Sequence, residues 1–312
     1  MSDYVFLILG LVVLVAAGDL LVRGSVSLAE RLGIPPLIIG LTIVACGTSA
    51  PELFISVGAA LEGAGGIAIG NVVGSNIANI LLVLGLPALI SPIQTREDGI
   101  TRNTAFMIVV SIVFAALCFV GPLDRPQGVL LLAMLAYFLW NSVHHARRAR
   151  RSEPAVGEHP HAWWLIALFI AGGLAGLPLG AHLTVDAARS IALSWGISEA
   201  AVGLTIVAVG TSLPEIAASL MAAARGSHGI ALGNVVGSNL FNITAVMGVT
   251  SSITPVDIPP PLLHLDIWVM LATALLLLPF VLGERRIGRV AGLAFLLGYA
   301  AYVIAVFSGH AV

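Results

Sequence analysis

The residues most able to do chemistry in this chain are two glutamates in near-identical settings. Residues 40–52 read GLTIVACGTSAPE and end at Glu52, and residues 203–215 read GLTIVAVGTSLPE and end at Glu215. Both glutamates lie within long apolar stretches. A carboxylate held in an apolar, membrane-like setting is costly, and it is therefore a functional-site hypothesis.

A second pair of near-copies follows the first. Residues 70–80 read GNVVGSNIANI, and residues 233–243 read GNVVGSNLFNI. Across both pairs, 20 of the 24 aligned positions are identical, and both pairs share an offset of 163 residues. A repeat at one fixed offset predicts a chain of two related structural halves.

Helical spacing gathers oxygen donors around each glutamate. Thr48 and Glu52 are four residues apart and should share a helix face, with Ser49 about one step around. Carboxylate, hydroxyl and amide oxygens without Cys or His favour Ca²⁺ or Na⁺ over zinc or copper. Two glutamates carry a charge that one Ca²⁺ would neutralise. The second half and the following span supply the other donors: Thr211, Ser212, Glu215, Ser75, Asn79, Ser238 and Asn242.

A proline stands just before each glutamate. Pro51 and Pro214 lie well inside hydrophobic spans. A helix-interior proline removes one backbone hydrogen bond and clashes with the carbonyl four residues back, here that of Gly47 or Gly210. Freed carbonyl oxygens are tolerated at membrane depth only where they line a cavity or find a partner. The sequence therefore predicts broken helices whose carbonyls help to bind a cation.

The composition is that of a membrane protein. Apolar residues make up 58% of the 312 positions and charged residues only 10%, which excludes an ordinary soluble domain. The bilayer is the expected surrounding, and nothing in the sequence points to a nucleic acid or a protein partner. The length has room for about ten spans of about twenty residues. We expect them near 3–28, 35–62, 67–91, 103–121, 126–146, 161–194, 198–224, 229–254, 264–283 and 287–306.

The positive residues predict the orientation of these spans. All 14 basic residues are arginine, and 11 of them fall in alternate loops on one side of the ten-span arrangement. Positively charged loops lie on the cytoplasmic side. We therefore expect an inner (plasma) membrane protein with both termini outside and the loop at 144–161 in the cytoplasm.

An odd number of spans in each half makes the second half enter the membrane from the opposite side. The predicted fold is thus an all-α polytopic membrane protein of ten transmembrane helices in two inverted five-helix repeats. We expect the first repeat at 1–143, with its motifs at 40–80, a polar linker at 144–161, and the second repeat at 162–312, with its motifs at 203–243. Inverted repeats place binding sites near the midplane at the repeat interface.

The motif pairs resemble the repeats of the cation/Ca²⁺ antiporter superfamily, and most closely those of prokaryotic Na⁺/Ca²⁺ exchangers. The resemblance implies alternating access, in which the first and sixth spans slide as a pair. It implies that Glu52 and Glu215 bind Ca²⁺ with help from the carbonyls of Thr48 and Thr211. It further implies Na⁺ sites and a central site built from Ala45, Ser49, Ser75, Asn79, Ala208, Ser212, Ser238 and Asn242.

One position departs from part of that family. Archaeal and K⁺-dependent relatives commonly carry Asp where this chain has Asn242, which argues against K⁺ co-transport. The expected function is Ca²⁺ extrusion in exchange for Na⁺, and three other functions are alternatives to it. A Ca²⁺/H⁺ antiporter would use the same site, although the second motif is unlike that of the proton-coupled branch. A Na⁺-coupled organic anion transporter would need Arg or Lys near the motifs, and none is there. An intramembrane protease would need a nucleophile with a base within reach, and neither GTS sequence has a nearby histidine. The expectation is a transporter rather than an enzyme, with no cofactor beyond the transported ions.

Overall fold

The computed structural model describes residues 2–152, 161–195 and 208–309. Within those residues, every regular element is helical. Eight helices are long and apolar enough to cross a membrane, and a bent pair, Pro36–Thr48 with Ala50–Leu61, would make a ninth span. Part of the predicted seventh span, 198–224, lies outside the described residues, and its described remainder includes the apolar helix Leu213–Ala224. The protein is a helical polytopic membrane protein.

The helices follow one another with short breaks. In chain order they are α1 (Ser2–Leu32), α2 (Pro36–Ile39), α3 (Ala45–Thr48), α4 (Ala50–Leu61), α5 (Gly65–Ala78), α6 (Gly85–Ile90), α7 (Ile100–Val120), α8 (Arg125–Ser152), α9 (Trp163–Ser194), α10 (Ala208–Gly210), α11 (Leu213–Ala224), α12 (His228–Phe241), α13 (Gly248–Ile253), α14 (Pro260–His264), α15 (Asp266–Leu276), α16 (Leu278–Leu282) and α17 (Arg289–Gly309). Among the described residues, three π-helical segments join consecutive helices: Gly40–Val44, Asn79–Val83 and Asn242–Met247.

The motif prolines do not sit in helix interiors. Ser49 leaves the helical conformation with φ −85° and ψ 4°, and Pro51 falls in the first turn of α4. Pro214 takes the same place in α11, after Ser212 with φ −86° and ψ 0°. In a first turn the missing N–H removes no hydrogen bond that the helix could have formed. The predicted proline clash is therefore corrected: the helix breaks one step earlier, and the span bends by 42° there.

The predicted linker at 144–161 also begins later than expected. α8 continues through Ser152, so its basic end extends the fifth span as a helix. The remaining linker residues, 153–160, lie outside the described residues.

Backbone pairing ties the two halves crosswise. Ile93 exchanges two backbone hydrogen bonds with Ile287, at 3.0 and 2.9 Å, and Leu123 exchanges two with Val256, at 3.0 and 2.8 Å. Ile93 and Val256 are one repeat offset apart, and Leu123 and Ile287 differ by one residue more. The same contact is therefore made twice, with the roles of the halves exchanged.

α1 and α9 form a tightly packed helix pair. A Cβ atom added at Gly173 would lie 2.5 Å from the Cβ of Leu21 and 2.8 Å from its backbone. One repeat offset away, Gly10 approaches Thr184 as closely. Small residues allow helix backbones to approach in membranes, where apolar burial alone gives little driving force. α1 and α9 therefore form one packing unit.

The two ends of this unit are also fixed. Arg31, near the end of α1, donates a hydrogen bond to the carbonyl of His161 and lies 4.7 Å from the ring centre of Trp163. At the other end, Ser190 donates a hydrogen bond of 2.8 Å to Asp3.

The α1–α9 unit contacts the rest of the molecule unequally. α1 packs along α11, whereas α9 makes no comparable contact with α4, the counterpart of α11. The exposure of equivalent side chains differs accordingly. Phe54 on α4 is 76% exposed, whereas its counterpart Ala217 on α11 is 8% exposed. Among the described spans, α12 with its continuation to Ile253 has the largest share of buried residues, 94% of its most apolar stretch.

The close packing predicts that Gly173→Ala destabilises the protein. The new methyl group would collide with the backbone of Leu21, and overpacking of this kind costs about 1–3 kcal/mol. Thermal unfolding in detergent, followed by a thiol-independent fluorescence signal, should show a lower midpoint. The neighbouring Gly172→Ala is the control, because its Cβ would meet only an ordinary contact of 3.6 Å with Leu20. Equal melting of the two variants would contradict the packing described.

Candidate cation-binding site

The two motif glutamates lie in the first turns of α4 and α11. Glu52 and Glu215 are each 1% exposed. Ser49, three residues before Glu52, contacts the Glu215 carboxylate, so the two acidic segments meet. The helix breaks before α4 and α11 bring both carboxylates into the centre of the molecule, where the two repeated motifs meet.

Side chains of the first repeated motif contact side chains of the second half directly. The Ser49 hydroxyl donates to Oε1 of Glu215 over 3.4 Å. The Thr48 hydroxyl donates to Oδ1 of Asn234 over 3.1 Å and lies 3.4 Å from the Ser238 hydroxyl. Residues predicted to line one site are thus in contact across the two halves. Ser49 thereby contacts a carboxylate of the other half.

Several buried oxygens in this cluster have no hydrogen-bond partner among the described residues. They are both carboxylate oxygens of Glu52, Oε2 of Glu215, the hydroxyl of Ser212, and the amide oxygens of Asn79 and Asn242. Leaving a buried oxygen without a partner costs about 1–3 kcal/mol, and more for a charged group. Hard oxygens of this kind are the ligands that cations such as Ca²⁺ and Na⁺ prefer.

An asparagine network orients the two free amide oxygens. Asn79 donates its amide to Oδ1 of Asn239 over 3.0 Å, and Asn242 donates to Oδ1 of Asn76 over 3.1 Å. Asn76 and Asn239 in turn donate to each other's backbone carbonyls over 3.4 and 3.3 Å. Because Asn79 and Asn242 use their N–H groups as donors, their oxygens remain available to a cation.

The remaining predicted donors lie around the same cluster. Ser75 and Ser238 are buried in α5 and α12. The carbonyl of Ala45 accepts the backbone N–H of Ser49 over 3.0 Å. Thr211 lies in the break between α10 and α11, and Ala208 begins the described part of this span. Among the described residues, no three His, Cys, Asp or Glu side chains lie close enough together to hold one metal ion. Neutral oxygens would therefore have to complete any coordination shell.

Two residues that the sequence analysis did not single out support the glutamates. Asn71 donates to the carbonyl of Glu52 over 3.3 Å and to the Ser56 hydroxyl over 3.0 Å. Asn234 makes the equivalent bonds, to the carbonyl of Glu215 over 3.4 Å and to Ser219 over 2.9 Å. Both asparagines are identical between the repeated motifs, and this identity was the signal that could have revealed them.

These features define a class of protein. A helical membrane protein that holds two carboxylates among hard oxygen donors, at the meeting point of two repeated motifs, has the site of a membrane ion transporter. A family model described as sodium/calcium exchanger protein matches residues 2–143 and 164–308. The chain belongs to this family, and it is a membrane antiporter of the cation/Ca²⁺ exchanger class.

Relatives match over nearly the whole chain. CaxA of Alkalimonas amylolytica is 41% identical over 97% of this chain and 98% of its own. The sodium/calcium exchanger MaX1 of Methanosarcina acetivorans is 33% identical over 98% of each chain. Among solved structures, the sodium–calcium exchanger NCX_Mj has a TM-score of 0.84 and 35% identity, and the match covers 99% of this chain and 98% of that one.

The hydrogen bonds of Asn234 predict that Asn234→Ala destabilises the protein. The change removes the acceptor of Thr48 and the donor to both Ser219 and the Glu215 carbonyl, and each buried group left without a partner costs about 1–3 kcal/mol. Denaturant or thermal unfolding in detergent should show a clear loss. Asn103→Ala is the control, because this buried asparagine donates to the Gly99 carbonyl one turn back in its own helix. A loss no larger than that of the control would contradict the network.

Proposed function

We propose that this protein exchanges Ca²⁺ for Na⁺ by alternating access and normally extrudes Ca²⁺ from the cell. The observation that carries the proposal is the pair of buried carboxylates, Glu52 and Glu215, with three carboxylate oxygens unpartnered among the described residues. Two buried negative charges so close together need a compensating positive charge. One Ca²⁺ supplies it, and the family relationship supports this choice of ion.

The neutral donors are suited to the competing ion. Ser49, Ser75, Ser212 and Ser238 provide hydroxyls, Asn79 and Asn242 provide amide oxygens, and Ala45 and Ala208 provide carbonyls. Such groups can hold Na⁺ ions singly around the position of one Ca²⁺. In this proposal the Thr48 and Thr211 carbonyls join the glutamates at the Ca²⁺ site. Because Asn242 adds no third acid, the site carries no extra charge for K⁺.

The proposed architecture has ten spans in two inverted five-helix repeats, 1–143 and 162–312, joined by the linker at 144–161. The crosswise backbone pairs and the mirrored glycine contacts of α1 and α9 support it, since both relate positions about one repeat offset apart. The distribution of arginines supports outside termini, a cytoplasmic linker and a place in the cell's inner (plasma) membrane. We propose no cofactor, no protein partner and no enzymatic activity.

The unequal packing of the α1–α9 unit supports alternating access. In the proposed orientation α11 is the cytoplasmic half of its span and α4 is the external half of its own. Contact of α1 with α11, and the weak contact of α9 with α4, then correspond to a state closed inside and open outside. Sliding of α1 with α9 would exchange the two arrangements.

The site predicts that Glu52→Gln and Glu215→Gln each abolish Ca²⁺ transport while the protein remains folded. Each change removes half of the charge that compensates Ca²⁺ and adds only a neutral amide of the same shape. The measurement is ⁴⁵Ca²⁺ uptake into proteoliposomes with an imposed outward Na⁺ gradient. Glu284→Gln is the control, because Glu284 is exposed and pairs with Arg96 in a loop, and it should transport normally. Normal uptake by either site variant would refute the assignment of these carboxylates.

Coupling to Na⁺ predicts a response to membrane potential. If three Na⁺ replace one Ca²⁺, one positive charge leaves the vesicle per Ca²⁺ taken up, and moving it is worth about 2.3 kcal/mol per 100 mV. A negative vesicle interior opposes that exit, so it should slow Ca²⁺ uptake driven by outward Na⁺. Valinomycin with defined K⁺ gradients sets the potential, and a zero-potential K⁺ balance is the control. Uptake driven by a pH gradient and indifferent to Na⁺ would instead identify a Ca²⁺/H⁺ antiporter with the same site. Exchange of neither kind, with uptake of an organic anion, would reject the proposal.

A further inference from the structure

A cluster of charges outside the cation site bridges α1 and α11. Asp19 on α1 accepts hydrogen bonds from Arg225 at the end of α11. It also pairs with Arg23, one turn away on α1, over 2.8 Å. The Asp19–Arg225 contact, which we call the cytoplasmic pair, joins the α1–α9 unit to the rest of the molecule where the two are packed together.

The residues one repeat offset away have the opposite acid or base character. Asp19 corresponds to His182, Arg23 to Asp186, and Arg225 to Glu62. His182 and Asp186 are again one turn apart, with Nε2 and Oδ2 3.3 Å from each other. The set of an acid and two bases, Asp19, Arg23 and Arg225, thus corresponds to a set of a base and two acids, His182, Asp186 and Glu62. The attraction between the two elements is preserved by this exchange, although every sign is inverted.

The bridging contact itself is present in one half only. Asp19 meets Arg225 because α1 packs against α11, where a Cβ at Gly18 would lie 2.9 Å from the carbonyl of Ala217. In the other half, α9 does not pack against α4. Glu62 is exposed at the end of α4. Glu62 forms no ion pair with another described residue. The side chain of His182 is 73% exposed. His182 and Glu62 are therefore equivalent to the residues of the cytoplasmic pair, but in this half the bridging contact is not formed.

We propose that His182 and Glu62 form an external ion pair when the α1–α9 unit closes the outside, at the same time as the cytoplasmic pair breaks. This inference rests on the proposed alternating access. Because the two contacts are related by the repeat offset, sliding of α1 with α9 lengthens one as it shortens the other. The two pairs then act in opposition, and their relative strength sets the balance between the outward-open and inward-open states.

The inverted signs make this balance depend on pH. Histidine is the side chain that ordinarily changes its charge between about pH 8 and pH 5, and in this set of residues only the external pair contains one. Acid therefore strengthens the external pair alone and favours the state that is closed outside. The other charged or titratable groups on α9 and on the elements packed against it are Asp186, Arg189, Asp3, Tyr4, Asp19, Arg23, Glu30, Arg31, Cys46 and Glu215.

The test measures the conformational equilibrium rather than transport. Spin labels on Leu61→Cys and Leu179→Cys, in a chain with Cys46 and Cys118 replaced by Ser, report the approach of α9 to α4. Both leucines are exposed, at 65% and 54%, and lie beside Glu62 and one turn before His182. Double electron–electron resonance in lipid nanodiscs, at one fixed Ca²⁺ concentration, should show a short-distance population that grows relative to the long one by roughly two- to fivefold from pH 8 to pH 5.5. This is the change expected from an exposed ion pair of up to about 1 kcal/mol.

Variants of the external pair separate it from other titrating groups. His182→Gln and Glu62→Gln should each remove the pH response, whereas the double variant His182→Glu with Glu62→Arg should keep a high short-distance population at both pH values. His264→Gln is the control, because His264 is an exposed histidine at the predicted external end of another span, and it should leave the response unchanged. A response that survives His182→Gln would overturn the proposal.

The cytoplasmic pair provides a second test with its own control. Arg225→Gln should raise the short-distance population at pH 8, again by roughly two- to fivefold. Arg23→Gln removes the other partner of Asp19, but Arg23 is on α1 itself and bridges nothing, so it should not raise that population. Equal effects of the two variants would overturn the opposed-pair proposal.

These measurements are independent of the transported ion. If Ca²⁺ exchange is observed and the spin-label distances respond neither to pH nor to Arg225→Gln, the inference is wrong and the proposed function stands. If the distances respond as expected and no exchange is found with any cation gradient, the proposed function is wrong, while the pair of opposed contacts is supported.

Discussion

The structure depends on the burial of two like charges close together. Glu52 and Glu215 are both almost completely enclosed, and a carboxylate pair in such surroundings is unfavourable unless a cation compensates it. Every neighbouring feature lowers that cost for a bound ion. The helix breaks at Ser49 and Ser212 bring the acids to the centre, and the asparagine network leaves the amide oxygens of Asn79 and Asn242 without hydrogen-bond partners among the described residues. The defining feature of the site is therefore the negative charge of two buried carboxylates, which the protein's own groups do not compensate.

The two repeats share their local contacts, but the packing around them differs. Contacts such as those of Asn71 and Asn234 recur with nearly the same lengths, so each glutamate is held by the same local device. The contacts of the α1–α9 unit do not recur, because α1 packs against α11 and α9 stands away from α4. Equivalent sequences in unequal surroundings are what a transporter with two interchangeable states requires. The inverted charges around Asp19 and His182 let pH act on one of those states.

Much of the candidate site could be predicted because the two copies of each motif can be aligned with each other within one chain. Identity at one offset singled out Glu52, Ser75 and Asn79 and their counterparts, and the resemblance supplied their roles. The supporting residues Asn71 and Asn234 were missed, since an asparagine in a glycine-rich helix is as typical of close packing as of a ligand shell. The proline clash was wrong, because local sequence does not reveal whether a proline lies inside a helix or starts a new one.

The sequence by itself determined the class of fold, the repeated halves, the two acids and the type of oxygen donors, because these follow from hydropathy, periodicity and identity at a fixed offset. Only the tertiary structure decided which donors meet across the halves, such as Ser49 with Glu215 and Thr48 with Asn234. It also decided that α1 rather than α9 contacts its partner helix. In the proposed arrangement, two inverted repeats have two nearly equivalent ways to pack, and a sequence compatible with both does not specify which one a given conformation adopts.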